Sequence, residues 1–547
     1  MSKAEFLKIG AIIVTAVNLY ACGSTQDTSH PDTRPNIVFI VADDLGYSDL
    51  GVFGSEIPTP NLDALANEGM LLTNFYASML CSPSRAMYMS GADNHLAGLG
   101  VMRPPTDPRQ LGQPGYEAYL NFRVVSLADL LRDAGYHTYI TGKWHLGPDV
   151  ENGPVARGFE RSFISIDGAS HLGGLSWIGP RDKHYRDGTE LVTVGEDFYS
   201  TQFYTGRMIE YIESDRDDGQ PFFAYLAYTA PHWPLQAPAD SIARFKSWYD
   251  DGYEALYTRR LESTKSLGLL PQDFSSVPPV AGQAAWDDLS PEEQRIEARK
   301  MEIYAAMVSD LDTYVGEFVD YLISIGEFEN TFIMFISDNG PEALRRDLMS
   351  PIKEWVESCC DNSFDNLGSG DSYVMYGPNW ARAGSVPFRR AKGTTFEGGT
   401  HVPAFVHYKG VVPGGTRNVG FATVMDILPT FLSLAGTEHP GTSYRGQPVL
   451  PVKGVTMLPM LTGELSEIHN QDEYMGWELH GHRAIRQGDW KIVWDPGEGE
   501  NATWNLFNLQ QDPAEQFDLS MKAPDRLQAM LRLWDEYQRE NGVIELN

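Results

Sequence analysis

The residues best suited to chemistry lie in short clusters far apart along the chain. Asp43-Asp44 end one apolar run and Asp338-Asn339 end another, so four oxygen donors arrive from two segments. Adjacent buried carboxylates repel unless a cation sits between them. Oxygen-only ligation suits a hard divalent ion, Ca2+ or Mg2+, and not zinc; carboxylates without water-rich spacing favour Ca2+. The bland alternative for Asp43-Asp44 is a solvated Asp-Asp-Leu-Gly turn. Between these segments sits Cys81-Ser82-Pro83-Ser84-Arg85. Alone it reads as a buried thiol in a turn, because four fixed residues are weak evidence. Arg85 lies one helical turn beyond Cys81 and can face the same side. Lys143 and His145 flank Trp144, so an extended segment would point both to one side. His232 falls in a Pro-flanked loop, where an imidazole near neutral pKa could move a proton. Lys392 opens the run Lys392-Gly393-Thr394-Thr395-Phe396-Glu397.

Strands and helices must deliver these groups. Asn36 to Ala42, Phe222 to Tyr228 and Thr331 to Ile336 are continuous apolar runs, the pattern of strands buried on both faces. Asp43-Asp44, His232 and Asp338-Asn339 follow their C-terminal ends, where open α/β sheets bind ligands. Pro58 to Gly69 reads as a helix with Thr59 at the N-cap, Pro60 at the first position and Gly69 as the stop. Leu71 to Tyr76 reads as one strand. Ala86 to Gly91 reads as helical, which puts Cys81 near a helix N-terminus, a setting that favours negative charge. Val125 to Ala134 and Glu297 to Leu322 are amphipathic helices. Residues 237–295 read as a charged, partly helical insertion, and 341–385 as an irregular, aromatic-bearing loop. From about Gln471 the pattern changes to antiparallel strands and a final helix, Ala523 to Glu540. The expectation is an α/β catalytic domain over 35–465, with a mixed, mostly parallel sheet flanked by helices, and a small C-terminal α+β subdomain over 466–547.

Composition narrows the function. The chain has 547 residues, 42% of them hydrophobic, and a formal net charge of −32. That charge repels nucleic acid and anionic membrane surfaces. A site for an anion would have to gather its cations locally. Residues 1–22 read as an export signal: Lys3 and Lys8, a short apolar run, then Leu19-Tyr20-Ala21-Cys22. The ending is similar to a bacterial lipobox, so Cys22 is the expected lipid anchor, with 23–34 as a polar tether and a periplasmic or cell-surface location; plain secretion and an unstructured N-terminus are the alternatives. Of the four cysteines, Cys359 and Cys360 are adjacent and are expected as free thiols, because a bridge between neighbours is strained.

Together, Val41-Ala42-Asp43-Asp44, Cys81-Ser82-Pro83-Ser84-Arg85, the run Gly135 to Gly147 with Gly142-Lys143-Trp144-His145, and Ser337-Asp338-Asn339-Gly340 resemble the type I sulfatases. The likeness is strongest to bacterial arylsulfatases of the alkaline phosphatase-like superfamily and covers roughly residues 35 to 540. The resemblance implies that a maturation enzyme oxidises Cys81 to formylglycine. Its hydrate would attack sulfur with one hydroxyl and expel sulfate by collapse of the other. Asp43, Asp44, Asp338 and Asn339 would hold the cation, which the modified Cys81 would also touch. Arg85 would hold the hydrated aldehyde and His145 would bond the diol. Lys143 and Lys392 would bind the sulfate, and His232 would bind it and protonate the leaving oxygen. The implied substrate is an aryl, alkyl or saccharide sulfate.

Two other readings compete. One is a phosphonate monoester or phosphodiester hydrolase of the same superfamily; the other is a surface lipoprotein that binds sulfated glycans without cleaving them. His480 and His482 read as surface or interface residues. Trp177, Trp248, Tyr373, Tyr376 and Trp380 could stack on a leaving group or belong to the cores of their loops.

Overall fold

The computed structural model describes residues 34–166, 168, 171–173 and 184–546. The leader, Cys22, nearly all of the tether and Trp177 lie outside them.

Ten strands form the main sheet: β1 (Asn36–Ala42), β2 (Met70–Leu72), β3 (His137–Lys143), β4 (Arg161–Ser165), β5 (Tyr185–Asp187), β6 (Glu190–Val192), β7 (Phe222–Ala227), β8 (Thr331–Ser337), β9 (Ala404–His407) and β10 (Thr416–Asn418). Their spatial order is β10-β2-β9-β8-β1-β7-β3-β4-β5-β6. From β8 to β4 the neighbours are parallel, while β9 runs antiparallel to both β8 and β2. The apolar runs are explained by burial on both faces. Val38 and Ile40 of β1 join one hydrophobic cluster; Ile37, Phe39 and Val41 join another on the opposite face.

Helices cover both faces. Helix α1 (Cys81–Ser90) is buried along its whole length. Gly91 ends it in the left-handed region at φ 64° and donates its N–H to Met87 O. Two further helices lie against the other face, α2 (Gly252–Ser266) and α3 (Pro291–Ser324). Helix α3 is longer than the apolar period suggests because Ser290 and Glu293 form a capping box ahead of it. A second, antiparallel sheet comprises β11 (Tyr474–Leu479), β12 (His482–Gln487), β13 (Trp490–Trp494) and β14 (Asn505–Asn508). The final helix, α4 (Pro524–Asn541), supplies Met530, Trp534 and Tyr537 to the core it shares with this sheet.

Several local expectations change. The strand expected over Leu71 to Tyr76 breaks after Leu72, and Phe75–Tyr76 pairs instead with Ala422–Thr423. Thr59 makes no cap bond to the helix Pro60–Glu68; its hydroxyl accepts from Gly51 N and donates to Asp63. The segment 341–385 is not wholly irregular, since Ile352–Cys359 and Pro378–Gly384 are helical. Tyr373, Tyr376 and Trp380 are buried there, while Trp248 is exposed. Cys359 and Cys360 are joined in a disulfide, contrary to the expected free thiols. The pairing sits where Ile352–Cys359 ends and the chain leaves helical geometry, with Cys360 extended at φ −121° and ψ 143°.

Candidate active site

The parallel strands deliver their chemistry at one edge. Asp43-Asp44 follow β1, Asp338-Asn339 follow β8, Lys143 ends β3, and His232 lies five residues after β7. The registers pair Ala42 with Ser337 and Gly142 with Ala227, so these ends lie side by side. Cys81 is the first residue of α1, which begins ahead of the Ala86 start the sequence suggests, so Cys81 lies in the helix's own first turn.

The ten predicted side chains converge. The Cys81 thiol donates to Asp43 Oδ1 at 3.2 Å and lies 3.7 Å from Asp44 Oδ1. Lys143 Nζ is 2.6 Å from Asp43 Oδ2, and Lys392 Nζ is 2.6 Å from Asp44 Oδ1. Arg85 donates from Nε and Nη2 to Asp338 Oδ2, at 2.9 and 2.7 Å, and from Nη1 to Lys143 O at 2.8 Å. Asp338 Oδ1 accepts the Asp44 N–H at 3.3 Å. Asn339 Nδ2 donates to Asp44 Oδ1 at 2.7 Å. His232 Nε2 lies 3.5 Å from Asp44 Oδ2.

His145 reaches the site by a different route from the one its spacing suggests. The strand stops at Lys143, and His145 turns into the left-handed region at φ 56°, so strand alternation does not place it. Its Nδ1 is buried without a hydrogen-bond partner.

Electrostatics follow from three carboxylates packed against three cations out of water. Burial pushes Asp43 up, but Lys143, His232, Arg85 and Lys392 together hold it well below the usual carboxylate range. Burial, with Asp43 adding to it, raises Asp338 to about 6. The Cys81 thiol is driven far up, first by burial and then by Asp338 and Asp43. Burial depresses both His145 and His232; Lys143 deepens the shift at each, while Asp43 opposes it.

These residues fit a hard cation. Ligand atoms of Asp43, Asp44, Cys81 and His232 lie within 4.8 Å of one another. Asn339 Oδ1 is buried with no partner, the condition expected of an oxygen meant for a metal. Asp338 differs, because both of its oxygens are already engaged by Arg85 and the Asp44 N–H.

Other residues here were not singled out from the sequence. His171 Nε2 donates to the carbonyl of His232 at 2.7 Å and steadies its loop. Tyr225, on β7, accepts from Arg85 Nη1 at 3.3 Å. Glu342 lies 3.5 Å from Lys392 Nζ. Its position four residues after Asp338, in a loop at a strand end, was the available signal.

The site thus gathers two buried ammonium groups and an imidazole around paired carboxylates. Comparison with known proteins gives that arrangement its lineage. The family model described as Sulfatase matches residues 35–437. An uncharacterized sulfatase of Schizosaccharomyces pombe is 40% identical, covering 93% of this chain and 94% of its own. An arylsulfatase of Klebsiella aerogenes is 37% identical, covering 81% and 95%. The crystal structure of Ps i-CgsB superposes with a TM-score of 0.66 at 26% identity, covering 93% of both chains. The chain thus belongs to the sulfatase family and is a sulfuric ester hydrolase.

Proposed function

We propose that this hydrolase works through Cys81 oxidised to formylglycine, with a divalent cation, Ca2+ in preference to Mg2+, at Asp43, Asp44, Asp338 and Asn339. The placing of Cys81 among the oxygen donors carries the reading: it heads α1, with its sulfur 3.2 Å from Asp43 Oδ1 and 3.7 Å from Asp44 Oδ1, within reach of the residues that would hold the cation. The aldehyde, when present, supplies a hydrated nucleophile that needs no thiolate. The cation, when bound, polarises the ester oxygens and offsets the charge of Asp43 and Asp44.

The chain's own residues account for the rest. Lys143 and Lys392 are the buried ammonium groups that would receive the sulfate oxygens. Arg85 has no exposed surface, and its bonds to Asp338 and Lys143 O fix the first turn of α1, which aims position 81. His232 donates from Nδ1 to the carbonyl of Trp233 at 2.5 Å, leaving Nε2 as the position that takes and gives a proton. Its imidazole is neutral in the free protein, and an arriving anion raises its proton affinity, so acid catalysis is switched on by substrate. His145, whose Nδ1 is buried and unpaired, would bond the nucleophile.

The substrate is an aryl, alkyl or saccharide sulfate ester. Maturation would require a formylglycine-generating enzyme, and Cys22 would tether the exported protein. The catalytic and C-terminal parts are taken as 35–465 and 466–547. Mass analysis of the peptide containing Cys81, set against turnover of an aryl sulfate, tests the mechanism. Specific activity should rise in proportion to the fraction carrying the aldehyde. Full activity in protein whose Cys81 is entirely thiol would overturn it.

A further inference from the structure

His232 is read above as the proton donor, but its own ring bond does not fix where it stands. Nδ1 donates to the carbonyl of Trp233, the next residue, so that bond travels with the loop. A second histidine anchors the loop from outside. His171 has no exposed surface. Its Nε2 lies 2.7 Å from the carbonyl oxygen of His232, and a carbonyl can only accept, so Nε2 carries a hydrogen. Its Nδ1 lies 3.1 Å from the hydroxyl of Ser200, the first residue of the helix Ser200–Asp215. Burial pushes the His171 imidazole down to about 4, so the ring is neutral and Nδ1 is an acceptor. Ser200 therefore donates to Nδ1, and its oxygen accepts from Thr229 Oγ1 at 3.3 Å. The backbone of His171 is tied as well. Its N–H donates to Gln236 Oε1 at 3.0 Å, and its carbonyl accepts from Ser200 N at 2.8 Å. Thr229 and Gln236 bracket His232 in the chain, and His232 N donates to the Thr229 carbonyl at 3.0 Å.

A buried chain of hydrogen bonds thus runs from Thr229 through Ser200 and His171 to the backbone of His232. We propose that His171 is a positioning residue for proton donation: it holds the His232 loop by the His232 carbonyl, and so sets how much the enzyme gains on esters whose leaving oxygen must be protonated. This rests on the reading of His232 as the acid. General acid catalysis supplies about 10^2- to 10^4-fold, and a misplacement of about 1 Å can cost 10^2-fold. The gain therefore depends on what fixes the loop. His171→Phe keeps a ring of similar size and leaves the His232 carbonyl without this donor. His171→Gln keeps an amide N–H at the reach of Nε2 and an oxygen that can accept from Ser200. Lys143 and Lys392 come from other segments, so contacts to the sulfate do not pass through this carbonyl.

Two aryl esters provide the test on matured, metal-loaded, full-length protein. The leaving oxygen of 4-nitrophenyl sulfate needs little protonation, whereas the more basic oxygen of phenyl sulfate needs it. The readout is the ratio of kcat/KM for phenyl sulfate to that for 4-nitrophenyl sulfate, in which the fraction of active protein cancels. His171→Phe should lower this ratio about tenfold. His171→Gln should keep it close to that of the parent. Ser200→Ala removes only the donor to Nδ1 and should move the ratio the same way by less. His232→Ala gives the reference and should lower the ratio furthest. If it does so while His171→Phe slows both esters equally, the proposal falls and the acid assignment stands. Equal losses of the ratio in His171→Phe and His171→Gln would also overturn it, because the hydrogen bond would not be the means. Should His171→Phe fail to fold, Ser200→Ala decides, and an unchanged ratio there overturns the proposal. A ratio unmoved by His232→Ala would overturn the acid assignment and this inference together.

Discussion

Two buried collections of charge invite comparison. One is the catalytic cluster at the strand ends. The other is the seam between the main sheet and the β11–β14 sheet. There Lys491 lies 2.7 Å from Glu397 and 3.1 Å from Glu515, while Glu397 also accepts from His401 and Tyr76. Also between the main domain and this sheet, His95 has each ring nitrogen on a carboxylate, Asp93 at 3.0 Å and Glu478 at 2.8 Å, and Asp93 accepts from Tyr537. Both regions are equally dry. They differ in what is left over. At the seam, His95, Lys491 and Glu397 each face a partner of opposite charge, and Glu515 Oε1, though it makes no hydrogen bond, lies 3.1 Å from the Lys491 ammonium. In the catalytic cluster, Asn339 Oδ1 and His145 Nδ1 have none, and the cysteine thiol is held protonated beside acids. A structural network pairs its charges, whereas a reactive one keeps polar atoms with neither a bond nor an opposite charge in reserve for ligand.

That contrast can be broken by experiment. Asp43→Asn should reduce turnover on the order of 10^3-fold, the scale expected when a metal and its charge stabilisation are compromised, with little change in the denaturant midpoint. A large loss of stability with modest loss of turnover would erase the distinction. Lys491→Met should do the reverse. It strands Glu397 and Glu515 without their cation and should cost about 3 kcal/mol of stability, read by chemical denaturation, while activity per folded molecule stays near that of the parent. A further effect of similar size concerns pH. Burial opposes protonation of His95, but its bonds to Asp93 and Glu478 raise it from 6.5 to about 9. The folded state therefore binds this proton more tightly than the unfolded chain. The stabilisation is fully present below pH 6.5 and is lost as pH rises through about 9, a change on the order of 3 kcal/mol. Comparing denaturation midpoints at pH 6 and pH 9.5, in the parent and in His95→Gln, isolates it. A slope that persists unchanged in the variant would assign it to other groups.

The same contrast explains how much could be read in advance. Asp43-Asp44 and Asp338-Asn339 follow runs whose continuous apolar character marks them as buried parallel strands, so their convergence was legible. His145 was legible as a participant but not in its route, because left-handed backbone at a non-glycine residue leaves no sequence period. Glu478 was visible as part of a strand, but its pairing with His95, 383 positions away, has no local signal. Tyr376 and Trp380 looked like candidates for stacking on ligand, and only packing against α3 and its neighbours shows that their rings are core. The disulfide at Cys359 and Cys360 escaped for a related reason, since its backbone depends on how a short helix ends.

Position 81 is 1% exposed in the finished fold, sealed at the head of α1. Strand β8, which brings Asp338 against Arg85, begins at Thr331, about 250 residues later in the chain. At ordinary synthesis rates of about 5–20 residues per second, that delay is roughly 12–50 s. On the proposed reading, an enzyme that reaches the Cys81 sulfur before the fold closes would work against a clock set by translation. Slowing the ribosome between residues 81 and 331 should raise the matured fraction; accelerating it should yield more protein that folds with its chemistry left undone.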